Sequence, residues 1–267
     1  MPELPDVEVF RRYLDSTALG RRVEDVHTSR ERIFADRSRS TVVGALSGSR
    51  LDETARHGKN LFAKLSEGRW LLLHFGMTGF LKAYRKPGSA PDHPRLVLDL
   101  SDGSHLAYDS QRLLGRVSVA DSPASYVNRM GLGPDALSEE VDEDAFSGLL
   151  SGSRAMVKSA LMDQKRIAGL GNVYSDEALF RSGLHPRRKA SSLSEDVLGR
   201  LHRAVVSVLQ TAIDFGAEAS AAPEDWLLPR RSEGSECPSC GGWLKNVKVS
   251  GRTAWLCPRC QPPPEEA

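Results

Sequence analysis

All four cysteines of this chain stand late in the sequence, as Cys237-Pro-Ser-Cys240 and Cys257-Pro-Arg-Cys260, with 16 residues between the two pairs. Two C-x-x-C knuckles at that spacing can set four thiolates tetrahedrally around one zinc ion, with a β-hairpin between them. Disulfides are the alternative, and they are disfavoured in a chain expected in the cytoplasm with no cysteine elsewhere. A closed four-thiolate site keeps no open coordination position, so one structural Zn2+ that stiffens the hairpin is expected, not one that activates water. The formal net charge is only +1, yet 237–260 holds Lys245, Lys248, Arg252 and Arg259 and no acid. Ordering the hairpin therefore fixes a cationic patch suited to a polyanion, with a merely solvated face as the alternative.

The rest of the chain reads as two further regions. Residues 5–18 carry Val7, Phe10 and Leu14 on one helical face. Short apolar segments at 60–65, 70–75, 95–100 and 104–108, parted by Gly, Asp and Ser turn signals, predict a sandwich or flattened barrel that ends near residue 121. The period then changes. Leu198, Leu201, Val205, Val208, Leu209 and Ala212 recur at helical spacing, and 153–164 and 173–181 are shorter helix candidates, so the following region is mainly α. The segment 216–236 reads as a loop, and the tail QPPPEEA as disordered. The class is α+β. No apolar run reaches the roughly 20 residues of a membrane-spanning helix, and the N-terminus lacks the basic-then-apolar pattern of a signal peptide, so a cytoplasmic location is expected, on the nucleoid if the source is bacterial.

Removal of Met1, which is favoured ahead of a small residue, would expose Pro2 as a secondary amine. An α-amino group has an ordinary pKa near ~8, so an appreciable fraction is neutral at pH 7 and nucleophilic without a buried lysine. Attack on a sugar C1′ would give an iminium, an electron sink that permits strand elimination. Glu3 beside it is placed to protonate a sugar ring oxygen. From these residues alone a structural reading is the favoured one, with Pro2 at a helix entry and Glu3 a first-turn acid favoured by the helix dipole.

Beyond them, Pro2-Glu3-Leu4-Pro5-Asp6-Val7-Glu8 resembles the opening of the formamidopyrimidine-DNA glycosylase and endonuclease VIII family, nearer its formamidopyrimidine-DNA glycosylase branch. The likeness continues through Arg56-His57-Gly58-Lys59, His74-Phe75-Gly76-Met77-Thr78-Gly79, Leu132-Gly133-Pro134, Gly169-Leu170-Gly171-Asn172-Val173-Tyr174 and Gly251-Arg252-Thr253. It implies an N-terminal β-sandwich with an N-terminal helix over 2–121, a helix-two-turns-helix DNA-binding domain over 122–220, and a β-hairpin zinc finger over 228–262. It also implies a base-excision-repair glycosylase with abasic-site lyase activity, acting as a monomer on double-stranded DNA that holds oxidised bases or abasic sites.

Carried over residue by residue, the resemblance makes Pro2 the Schiff-base nucleophile, Glu3 the proton donor and Lys59 a lysine beside the lesion, on a strand that starts after Gly58. Met77 fills the void left by the extruded nucleotide, Arg112 faces the orphaned base and Leu114 acts as a wedge. Asn172 and Lys158 are phosphate contacts, His93 and Arg154 further DNA contacts, and Arg252 a phosphate grip tied to the final elimination. The pattern departs from the family at Asp6, where Glu is usual, and at Ser110-Gln111-Arg112-Leu113-Leu114, which replaces Asp-Pro-Arg-Arg-Phe and so removes a cation and an aromatic wedge. The loop 216–236 also reads as short for the family, so broad action on oxidised or ring-opened bases is expected over a strict preference for 8-oxoguanine. A non-catalytic damage binder on the same scaffold, or a protein-interaction finger on an unrelated enzyme, are the competing readings.

Overall fold

Helix α1 (Leu4–Ala18) begins where Pro5 has no N–H to lose, in the first turn, and buries Leu4, Val7, Leu14 and Ala18 along one stripe. The computed structural model describes residues 1–34 and 36–264. The disordered tail expected from QPPPEEA reaches into 265–267, which lie outside the described residues. By Cα proximity the chain forms two units, Met1–Gly131 and Leu132–Ala267.

In the first unit α1 is followed by β1 (Val23–Thr28), α2 (Arg39–Leu46), β2 (Leu51–His57), β3 (Asn60–Leu65), β4 (Trp70–His74), β5 (Phe80–Tyr84), β6 (Pro94–Leu100), β7 (His105–Asp109), β8 (Arg116–Ala120) and α3 (Pro123–Met130). The strands form two antiparallel four-stranded sheets, β1-β6-β7-β5 and β2-β3-β4-β8. Val26, Leu98, Leu106 and Tyr108 from the first sheet and Leu61, Leu71, Leu73 and Val117 from the second share one core with Val7 and Leu14 of α1. That shared core makes the unit a β-sandwich. Burying each such side chain contributes about 1.5–3 kcal/mol, which is why strand alternation fixes which face turns inward. Helix α2, which hydrophobic periodicity does not announce, is capped by Ser38, whose hydroxyl accepts from the Thr41 N–H.

The second unit contains α4 (Glu143–Ser151), α5 (Val157–Leu161), α6 (Asn172–Arg181), α7 (Glu195–Asp214), β9 (Lys245–Val249) and β10 (Arg252–Leu256). Helix α7 buries the stripe read from its sequence, from Leu198 to Ala212. The helix expected over 153–164 contracts to α5 because the chain before it is extended: Met156 bridges Lys189, and the Val157 N–H donates to the Arg188 carbonyl. The 216–236 segment is a loop with two short 3-10 turns, but Trp226 and Leu227 are buried within it. The Trp226 ring meets Phe215 edge-on at 5.2 Å and lies under the Arg181 guanidinium. Among the described residues no helix is long and apolar enough to cross a membrane.

Candidate functional site

Pro2 is partly exposed immediately before α1, and Glu3, its neighbour, is 1% exposed. The Glu3 backbone N–H donates to the Asp6 carboxylate at 2.8 Å, which ties the head of the helix to its third residue. Burial raises the Asp6 pKa to about 6; the Glu3 N–H opposes that rise and the Glu3 charge adds to it. Two carboxyls are thus held close together at the first turn. With Met1 in place the Pro2 nitrogen is an amide, so nucleophilic character requires Met1 removal.

Lys59 belongs to the two-residue turn Gly58-Lys59 that joins β2 to β3, since His57 pairs with Asn60; it therefore precedes β3 and does not lie on it, as the sequence suggested. Gly58 has φ +55, a left-handed conformation that a hairpin turn of this length demands. The turn is fastened to α1 by charge. Arg56 donates to the Gly58 carbonyl at 3.2 Å and to Glu8 at 3.3 Å. Burial works against ionised Glu8, but Arg11, Arg12 and Arg56 hold its pKa below the ordinary carboxylate value. Lys59 itself is buried. Close by, His74 has its pKa lowered to about 4, by burial first and then by the Arg116 and Lys59 charges. It is neutral at pH 7, and its Nδ1 accepts from the Gly76 N–H at 3.3 Å.

Two loops at one end of the sandwich carry the residues expected to enter DNA. The turn after β4 presents Met77, 42% exposed, and the segment before β8 presents Arg112 and Leu114, the latter 44% exposed. They are locked together by backbone: a Cβ on Gly76 would meet the Leu114 carbonyl carbon at 2.4 Å, and one on Gly115 would meet the Tyr108 hydroxyl at 1.7 Å. The Arg112 N–H donates to the Thr78 hydroxyl at 3.3 Å. Leu113 adopts φ +52, an uncommon conformation for a branched side chain, and turns inward onto the core while Leu114 points to solvent. Phe75 packs against Phe10 of α1 with ring centroids 4.5 Å apart and the rings tilted by 52°. His93 stands immediately before β6, where its N–H donates to Asp109 and its carbonyl accepts from the N–H of Ser110, the first residue of the Leu114 segment.

In the second unit Gly169-Leu170-Gly171-Asn172 turns into α6, with Gly171 as N-cap and Gly169 at φ +123. Gln164 staples this turn: its amide nitrogen donates to the Leu170 carbonyl at 2.8 Å and its carbonyl oxygen accepts from the Gly169 N–H at 3.0 Å. The positive dipole end of α6 suits a phosphate there. Lys158 corrects the sequence expectation. Its side chain has no exposure and is paired with Asp176, with the Asn172 carbonyl accepting at 3.1 Å, so it cannot itself reach a phosphate. Asp176 also accepts from Arg231 at 2.7 Å and from the Trp255 N–H at 3.1 Å. Helix α5, the 216–236 loop and the finger hairpin meet on that one carboxylate. Asn172 Oδ1 and Arg231 Nε are buried with no hydrogen-bond partner among the described residues. Arg154 and Arg252 are exposed. The hairpin tip bearing Arg252 is held by Ser250 on Ser159 at 2.8 Å and by Arg187 on the Lys248 carbonyl.

The four cysteine sulfurs lie within 4.8 Å of one another, with Cys237–Cys260 at 3.8 Å and Cys240–Cys257 at 3.5 Å. Zinc–sulfur bonds of about 2.3 Å place the corners of a tetrahedron about 3.8 Å apart. The cluster fits one zinc ion, and the separations are far beyond the ~2.05 Å of a disulfide. Leu227, Leu244 and Phe180 pack around it.

The structure thus gathers Met77, Arg112 and Leu114 on one pair of loops, sets Pro2 and Glu3 at the head of α1, and keeps Arg154, Asn172, Arg252 and the cysteines in the second unit. Asp176, Arg231 and Gln164 escaped the sequence reading. An acid four residues after Asn172 inside an otherwise apolar helix face was the available signal for Asp176.

Three family models match: the formamidopyrimidine-DNA glycosylase N-terminal domain over residues 1–117, the corresponding H2TH domain over 132–223, and a zinc finger found in FPG and IleRS over 234–263. The chain is 35% identical to a formamidopyrimidine-DNA glycosylase of Symbiobacterium thermophilum, across 99% of this chain and 90% of that one. It is 34% identical to one from Geobacter metallireducens, across 98% and 100%. A Lactococcus lactis formamidopyrimidine-DNA glycosylase bound non-covalently to DNA with an abasic site superposes with a TM-score of 0.88 at 27% identity, covering 98% of this chain and all of that one. A MutM complex with DNA containing carbocyclic 8-oxo-G gives 0.89 at 28%, with the same coverage.

Proposed function

The chain belongs to the formamidopyrimidine-DNA glycosylase family, and from that premise we propose how its own residues carry out the family's reaction. It is a base-excision-repair DNA glycosylase with abasic-site lyase activity, acting on oxidised bases and abasic sites in DNA, and it holds one structural zinc.

Once Met1 is gone, the neutral Pro2 nitrogen attacks C1′ of the extruded nucleotide. The base departs with its bonding electrons and a proton, while Glu3 delivers a proton to the sugar ring oxygen as the ring opens, leaving an iminium on Pro2. Loss of a C2′ proton into that electron sink expels the 3′ phosphate, and water then releases Pro2. Lys59, fixed by its turn and by the Glu8–Arg56 bridge, supplies positive charge beside the reacting sugar. The pairing of an accessible Pro2 with a buried Glu3 carries this reading, because it places nucleophile and acid on consecutive residues of one rigid helix head.

Met77 fills the space of the extruded nucleotide, Arg112 faces the orphaned base and Leu114 acts as a wedge, offsetting part of the lost stacking. His93 contacts the backbone beside them. Residues 2–121 carry the chemistry, while 122–220 and 228–262 grip phosphates through Arg154, Asn172 and Arg252. Lys158 supports that grip from beneath by holding Asp176 and the Asn172 carbonyl. With the 216–236 loop short for the family, the enzyme acts broadly on oxidised and ring-opened bases, and the absence of a second arginine or aromatic beside Leu114 alters its contact with the opposite base. The enzyme works as a monomer, on the nucleoid in a bacterial cell.

Borohydride trapping on duplexes with an abasic site or 8-oxoguanine tests the chemistry. A covalent complex with Met1-processed protein, lost in Pro2→Gly and reduced in Glu3→Gln on the lesion duplex, is expected. Tight damage binding without any trapping would establish the damage binder instead.

A further inference from the structure

On the outer face of the β1-β6-β7-β5 sheet, Asp25, Asp99, His105 and Tyr84 stand in register across all four strands. Asp25 and Asp99 are direct cross-strand partners, a like-charge pairing that destabilises a sheet unless something positive lies between them. A bulge between Val23 and Asp25 produces it by turning Asp25 to the same face as His27. His27 Nε2 lies 2.8 Å from Asp99 Oδ2 and 3.8 Å from Asp25 Oδ2, and one ligand atom from each of the three falls within 4.8 Å of the others.

From this juxtaposition we propose that Asp25, His27 and Asp99 form a second, surface metal site that takes a first-row divalent cation of the zinc class. One imidazole and two carboxylates, with the remaining positions open to water, is a donor set such ions accept. Ligand atoms on a cation with bonds of about 2.0–2.1 Å stand about 3–3.5 Å apart, so the observed separations need only small rotations of the exposed Asp25 and His27 and the half-buried Asp99. The outer support is already built. His105 Nδ1 bonds Asp99 Oδ1 at 2.6 Å and leaves Oδ2 facing the site, while the His105 ring stacks on Tyr84 at 4.9 Å. The Asp25 Oδ1 accepts from the Val26 N–H at 2.7 Å, which leaves Oδ2 for the metal. The cation fastens β1, an edge strand, to β6 and relieves the Asp25–Asp99 repulsion; none of its ligands belongs to the catalytic, DNA-contact or finger residues.

Equilibrium dialysis of the full-length, finger-loaded protein against Zn2+, with metal counted per chain, tests it. Wild type binds two equivalents and His27→Gln binds one. An Asp99→Asn variant also binds one, and added Zn2+ raises the melting temperature of wild type alone. His27 is exposed, so its variant folds regardless, which an unchanged melt in buffer free of loose metal confirms. A single equivalent in wild type, or a second equivalent retained by His27→Gln, overturns the site.

Discussion

Gly76 lies directly beneath the Leu114 backbone, so close that a Cβ would stand 2.4 Å from its carbonyl carbon and 2.5 Å from the Gly115 nitrogen. Neither neighbour is a side-chain end that could swing away, and Gly76 has φ +61 besides. Gly76→Ala therefore forces the Met77 and Leu114 loops apart at a cost of about 2–3 kcal/mol in stability. Excision of a lesion in duplex DNA is expected to fall further than cleavage of a single-stranded abasic site, which needs no extrusion. Equal losses on both substrates would mean that the two loops do not act on the duplex.

Met77 and Leu114 present the opposite case. Both are largely exposed, so Met77→Ala and Leu114→Ala should shift stability by less than about 0.5 kcal/mol. Each should lower single-turnover excision about tenfold, equivalent to ~1.4 kcal/mol of lost support for the extruded state. A fluorescent base analogue opposite the lesion would report the extrusion step directly, and wild-type kinetics in both variants would remove them from it.

Asp176 holds two cations and a backbone N–H in a place without solvent. Asp176→Asn strands Lys158 and Arg231 beside a neutral group, and breaking a buried pair in this way costs about 3–5 kcal/mol. Denaturant unfolding followed by tryptophan fluorescence suits the measurement, since Trp255 sits on the same carboxylate. Lys158→Met added to Asp176→Leu should recover part of the loss, because no lysine charge is then left buried.

Glu177 is buried with its pKa raised to about 7, chiefly by burial, against the pull of the Leu227 and Leu228 N–H groups and the Arg181 charge. The folded state binds this proton more tightly than the unfolded chain. Its contribution favours the fold at low pH and is lost as pH rises from about 4.5 to 7, a change of the order of 3 kcal/mol. His74 acts in the other direction, with stability gained as pH rises from about 4 to 6.5, so the two partly cancel in the whole protein. The difference between wild type and Glu177→Gln isolates one group: the variant should gain on wild type steadily between pH 5 and 7.5. A difference that stays flat with pH would show that Glu177 keeps an ordinary pKa.

How much of this was legible beforehand depends on the kind of information involved. The cysteine spacing specified the metal geometry, because four thiolates at fixed offsets have few other ways to be satisfied without solvent. Strand alternation and the α7 stripe specified the sandwich and the long helix for the same reason: periodicity is local and burial follows it. The head of α1 was legible too, since consecutive residues cannot be separated by folding. Lys158 was not. Nothing near it in sequence says whether a lysine ends in water or on a buried carboxylate, and Asp176, 18 positions away, decided that. Nor did sequence show that Gly76 and Gly115 are the contact points between two loops, or that Asp25 faces Asp99, which required a bulge and a strand register. Sequence by itself determined the main strand segments, the long helix α7, the cysteine cluster and the adjacency of Pro2 and Glu3; the tertiary structure decided α2, the length of α5, which charges are buried and which loops touch, because those depend on atoms that chain connectivity leaves far apart.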